Sequence, residues 1–118
     1  MEAGAESCDD REMATTADLR AAVSRAILEG PGKASAGERR KAYDGEGAAG
    51  AVAAYVAKVR DTAYKITDGD VAALRAAGLD DDRIFELSVA ASVGQADRQY
   101  DAAMAALDSA LAERKETV

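Results

Sequence analysis

Alanine fills roughly a quarter of this chain, against one Phe, no Trp and four Tyr. That ratio restricts the possible folds more than any motif does, because each alanine brings little apolar area to a core. β-Branched residues are too few for a sheet, and no stretch shows the clear apolar–polar alternation of a strand. The chain is therefore expected to be all-α, a small bundle of about five helices. A single domain of 118 residues buries only about two-thirds of the surface its unfolded chain exposes. Alanine-rich helices approach closely but make a thin core, so part of the apolar surface is expected to lie between subunits, and the default expectation is a homo-oligomer.

Helical spacing divides the chain. A first helix runs from about Ala17 to Glu29, with Thr15 as cap and Leu19, Val23, Ala26 and Ile27 on one stripe. Gly30-Pro31-Gly32 stops it. Ser35-Ala36-Gly37-Glu38 is a capping box that starts a short helix through about Tyr43. After the glycine-rich, acidic loop Asp44 to Gly50, a third helix from about Ala48 to Lys65 carries Val52, Tyr55, Val56, Val59 and Ala63, followed by Ile66. This is the most amphipathic stretch. Thr67-Asp68-Gly69-Asp70 repeats the capping logic before a short helix that turns Val71 and Leu74 inward and ends at Gly78. Leu79 fits the apolar contact of a Schellman-type end. Asp80, Asp81 and Asp82 open a long last helix through Ile84, Phe85, Val89, Tyr100, Met104, Leu107 and Leu111. Gly94 within it marks either a kink or a close helix crossing. The expected organisation is a disordered N-terminal tail over 1–14, with a second plausible start at Met13, a helical domain over 15–113 and a C-terminal tail over 114–118.

Charge and composition exclude several functions. A net charge of −7 and a pI near 4.6 oppose binding to a phosphate backbone, so no nucleic acid is expected as a partner. No run approaches the length of about 18 apolar residues that spans a bilayer, and the polar, acidic N-terminus has no signal pattern. No membrane association and a cytoplasmic, bacterial-type address follow as expectations. The chain has one cysteine, Cys8, and no histidine. It therefore cannot form an intrachain disulfide or a C-x-x-C pair, and it lacks the commonest metal ligand and general base. No metal or cofactor is expected.

Two motifs read better as helix chemistry. Gly45-Glu46-Gly47-Ala48-Ala49-Gly50 matches G-x-G-x-x-G, with Asp68 and Asp70 about twenty residues on, but that fingerprint works only between a strand and a helix of a parallel sheet. Asp68, Asp70 and Asp80 to Asp82 lack the alternating ligand spacing of a calcium loop and suit helix starts. The candidate pocket residues are Tyr64, Glu86, Arg98 and Tyr100. Glu86 and Arg98 sit in an apolar helical region, where a bend would let them face each other, and the phenols of Tyr55, Tyr64 and Tyr100 could line a pocket or pack in a core.

The stretch Tyr64-Lys65-Ile66-Thr67-Asp68-Gly69-Asp70-Val71-Ala72-Ala73-Leu74-Arg75-Ala76-Ala77-Gly78-Leu79, followed by Asp80-Asp81-Asp82-Arg83-Ile84-Phe85-Glu86-Leu87, Ala90-Ala91 and Arg98, resembles the alkylhydroperoxidase D-like and carboxymuconolactone decarboxylase superfamily. The resemblance lies in a T-x-x-D-V-x-x-L-x-x-A-G helix before a D-D-x-I-x-E-L helix, and it covers about Tyr55 to Leu107. It implies an all-helical protein assembled as a trimer or hexamer. The family's redox members use E-x-x-x-C-x-x-C-x-x-x-H. Without a second cysteine or any histidine, this chain can form neither the resolving disulfide nor the proton relay, so thiol peroxidase activity is expected to be absent. The decarboxylase branch also uses histidine, and by position only Glu86 and Arg98 carry over. The expected function is a thiol-less, non-peroxidatic member that binds a small molecule or a partner as an oligomer. One alternative is an enzyme of reassigned chemistry, with Glu86 as acid or base, Arg98 holding an anionic substrate and Tyr64 or Tyr100 assisting. Another is a structural or regulatory partner of a different protein, whose signature would be an exposed apolar stripe on the first helix around Leu19, Val23 and Ile27.

Overall fold

The computed structural model describes residues 15–47 and 50–117. The expected N-terminal tail, with Cys8 and Met13, lies outside the described residues, as do Ala48 and Ala49. Among the described residues there are five helices: α1 Thr16–Glu29, α2 Ala36–Tyr43, α3 Gly50–Thr62, α4 Asp68–Ala76 and α5 Asp81–Thr117, with a 3₁₀ turn Ala63–Lys65 between α3 and α4. No strand occurs among the described residues.

Three helices start on reciprocal capping boxes, which satisfy two otherwise unpaired backbone amides each. Thr15 pairs with Asp18, Ser35 with Glu38 and Thr67 with Asp70. Gly78 closes α4 at φ +99, with its amide on the Arg75 carbonyl and the Leu79 amide on that of Leu74. That pattern is a Schellman end, and Leu79 and Leu74 are both buried. At the start of α5, Asp80 accepts from the Arg83 amide at 2.8 Å, while Asp81 pairs with Arg75 and Asp82 with Lys33.

The core is thin. Val56 and Val59 of α3, Leu74 of α4 and Ile84 and Leu87 of α5 carry its bulk, with Ala34, Ala42, Ala90 and Ala91 filling the close approaches. The tightest crossing sets α2 on α5 at Gly94, where a Cβ would lie 1.9 Å from the Tyr43 carbonyl oxygen. Helix α5 continues through this point, and Gly94 serves the close crossing. Helix α1 is fastened at its C-terminal end by the buried Arg39, whose Nη1 donates to the carbonyls of Ile27 at 3.0 Å and Gly30 at 2.7 Å. These carbonyls have no partner within the helix, and a cation at that end also suits the macrodipole.

Helix α5 has two unlike halves. From Ile84 to Gly94 it lies in the core; from Gln99 to Lys115 every residue is exposed. The second half, an arm of about 25 Å at 1.5 Å per residue, leaves the body of the fold. The helix also runs through Thr117, into the expected C-terminal tail over 114–118. Among the described residues no helix is long and apolar enough to cross a membrane.

Candidate functional site

The densest polar cluster of the molecule forms where α1 crosses α5, and Asp97 is its hub. The Tyr43 hydroxyl donates to Asp97 Oδ2. Ser24 Oγ donates to the same oxygen at 3.0 Å, and Arg20 Nη2 donates to Oδ1 at 3.0 Å. Arg20 also reaches Asp101 at 3.3 Å and lays its guanidinium 4.0 Å above the Tyr100 ring. A shallow hollow of about 260 Å³ opens beside the cluster, lined by Ala17, Arg20, Ser24, Tyr43 and Asp97 among others.

The Tyr43 hydrogen bond, helped by Arg20 and Ser24, holds the Asp97 carboxyl below the usual carboxylate range despite its burial. Burial, together with the bond to Asp97, pushes the Tyr43 phenol up. Asp97 is thus an ionised acceptor engaged by three donors, and Tyr43 is a neutral donor. Neither is poised to exchange a proton near neutral pH. The cluster acts as a clamp that joins α1, α2 and α5.

Apolar surface borders the clamp. Leu19 and Val23 on α1 are 61% and 52% exposed, and they line a shallow groove with Val93 of α5. Beyond the clamp, Tyr100, Met104, Leu107 and Leu111 of the arm are 41%, 36%, 48% and 43% exposed. They recur at intervals of four, three and four, so they form one stripe on one side of the helix.

The four expected pocket residues have separate settings. Tyr64 sits on the 3₁₀ turn, 83% exposed, with the Lys65 ammonium 5.9 Å from its ring. Glu86 accepts from the amides of Lys33 at 3.0 Å and Ala34 at 2.7 Å, pinning the loop between α1 and α2. Gly32 lets this happen, since a Cβ there would meet Glu86 Oε1 at 2.8 Å. Arg98 donates to the Tyr43 carbonyl at 2.6 Å and to Gln95 Oε1 at 2.9 Å. Tyr100 is the ring beneath Arg20. The expected bend between Glu86 and Arg98 is absent: they stand twelve positions apart on the unbroken α5, about 18 Å along its axis. Tyr55 hydrogen-bonds Ser88 at 2.7 Å, as a packed tyrosine with a satisfied hydroxyl.

The glycine-rich loop has no strand feeding it. Gly45 is at φ +85 and its carbonyl accepts from Arg60 at 2.8 Å. A hollow of about 270 Å³ lies nearby, lined by Gly37, Lys41, Ala42, Glu46 and Val52 among others. Among the described residues no group of three or more Asp, Glu, Cys or His is placed to hold a metal.

No family model, curated protein or solved structure matches this chain. Arg20, Ser24, Tyr43 and Asp97 were not singled out by sequence reasoning, because their contacts join positions more than fifty residues apart. One signal was available. Asp97 stands at helical spacing between Val93 and Tyr100, an acid set into an otherwise apolar stripe.

Proposed function

We propose that this chain is a non-peroxidatic helical module of the alkylhydroperoxidase D-like type, without that family's redox cysteine pair, that works by association, and that the α1–α5 face is where it associates. One observation carries the reading: the stripe of Tyr100, Met104, Leu107 and Leu111 lies on an arm outside the core, beside the exposed Leu19 and Val23. An apolar stripe of that length left in water and rimmed by charges marks an interaction site. The thin alanine core supports the same conclusion from the other side, because a small domain gains stability from a partner. The resemblance to an oligomeric family adds to this support. Glu86 and Arg98 serve loop and helix-end contacts, and these uses support binding over catalysis.

Light scattering over a concentration series tests the proposal. The wild-type chain is expected to exceed its 12.2 kDa monomer mass, and Leu107→Asp is expected to return it to that mass with unchanged helicity. Wild-type chain of single-chain mass throughout would refute self-association. Assembly indifferent to Leu107→Asp would remove the arm from the interface.

A further inference from the structure

We infer that the hollow between the end of α1 and the start of α5 is a binding site for a small monocarboxylate with a compact apolar body, held by the guanidinium of Arg39. The ground is a buried cation without an anion. Arg39 is only 7% exposed, and a charge so buried is ordinarily paired with an opposite one. Among the described residues no carboxylate pairs with it, and its hydrogen bonds all run from Nη1, to the carbonyls of Ile27 and Gly30. Its Nε is buried without any partner. A donor left so is costly, and more costly on a charged group.

The unused edge names the ligand. In a planar guanidinium Nε and Nη2 share one edge, and their parallel N–H bonds match the two oxygens of a carboxylate. Because Nη1 is turned to the end of α1, that edge is left for the hollow, which Arg39 lines together with Ile27, Pro31, Phe85, Glu86 and Val89. The hollow has a volume of about 160 Å³, close to the cavity of about 150 Å³ that admits benzene. Apart from Arg39 and Glu86 its walls are apolar. Phe85, 68% exposed at the rim, offers a ring face for an apolar body to cover.

Glu86 sets the number of charges. Its two oxygens are held by the Lys33 and Ala34 amides, so it does not pair with Arg39, but its charge stays in the wall. One carboxylate seated on Arg39 gains more than it loses to Glu86, whereas a second carboxylate on the same ligand meets only repulsion. Because Nε is shielded from solvent, full pairing requires the guanidinium or the Phe85 ring to turn slightly. Binding is therefore weak, with a dissociation constant on the order of 1 mM. The site uses the C-terminal end of α1, away from Leu19 and the arm, so it stands or falls separately from the association proposed above.

Nitrogen-15 NMR of the full-length chain tests the site with benzoate as the probe. As benzoate is added to about 20 mM, the Arg39 Nε–H signal should shift saturably while those of Arg20, Arg60 and Arg98 stay in place. Benzamide has the same shape without the charge, and isophthalate adds a second carboxylate; each should bind at least about tenfold more weakly. Val89→Phe, first shown by circular dichroism to keep wild-type helicity, fills the hollow without touching the contacts of Arg39 with α1, and should weaken benzoate at least about tenfold. An Arg39 signal that stays still, or moves only in step with the other arginines, overturns the site. Benzamide binding as tightly as benzoate overturns the carboxylate pairing, and isophthalate binding as tightly overturns the selection by Glu86. Undiminished binding by Val89→Phe would place the anion outside the hollow and overturn the inference as well.

Discussion

Asp97 concentrates much of this fold's specificity, because it joins α1, α2 and α5 through polar contacts from Arg20, Ser24 and Tyr43. Asp97→Ala leaves those donors facing a gap and should destabilise the fold by about 2 kcal/mol, the usual penalty for stranding partly buried partners, measurable as a lower urea midpoint. Asp97→Asn keeps the shape but removes the charge, and its effect belongs to pH. The native carboxyl is depressed, so the unfolded chain takes up a proton there at a higher pH than the folded one. The stabilisation is complete above the unfolded carboxylate range, near about pH 4, and is lost as pH falls through the lower folded value. Asp97→Asn should flatten this acid limb. Glu38, depressed by the Ser35 amide and Arg83, should keep a residual slope. At Gly94 the test is steric. A Cβ placed 1.9 Å from the Tyr43 carbonyl must push α2 off α5, so Gly94→Ala should cost about 3 kcal/mol or more and lower the melting temperature accordingly.

At the scale of elements, the helices were legible wherever capping is local. Ser35 with Glu38, Thr67 with Asp70 and Gly78 with Leu79 set their helix ends through neighbours in sequence, and the structure has those ends where the spacing puts them. The uses of Glu86 and Arg98 were not legible. Their partners, the Lys33 and Ala34 amides and the Tyr43 carbonyl, are brought near only by tertiary packing, and main-chain groups leave no mark in a sequence. The arm is an intermediate case: its apolar period is plain, but the period does not say whether core or solvent faces it. An isolated helix of about fifteen residues is marginal in water. The arm of a lone chain should therefore exchange its amide protons over 103–115 quickly, while the Val56 and Leu74 regions stay protected. If the arm pairs, protection over 103–115 alone should rise with protein concentration in hydrogen-exchange mass spectrometry. Protection already high and independent of concentration would mean that the arm is held within its own chain.

For the whole molecule, the question is whether two acidic chains repel more than their arms attract. Each copy carries −7, whereas the stretch from Asp97 to Lys115 holds Asp97, Asp101, Asp108 and Glu113 against Arg98, Arg114 and Lys115, four negative and three positive, a net of −1. Most of the repulsive charge is therefore distant from the arm. Salt screens the distant charges first, because the Debye length falls from about 30 Å at 0.01 M to about 8 Å at 0.15 M. The apolar contacts of the arm are not weakened by salt over that range. Raising the ionic strength from about 0.01 M to about 0.15 M should thus strengthen the assembly, and sedimentation equilibrium at the two salts would measure it. A dissociation constant that rises with salt would instead assign the association chiefly to ion pairs. In that case Lys115→Glu should weaken the assembly more than Met104→Ala. If the apolar contacts dominate, the order of those two variants reverses.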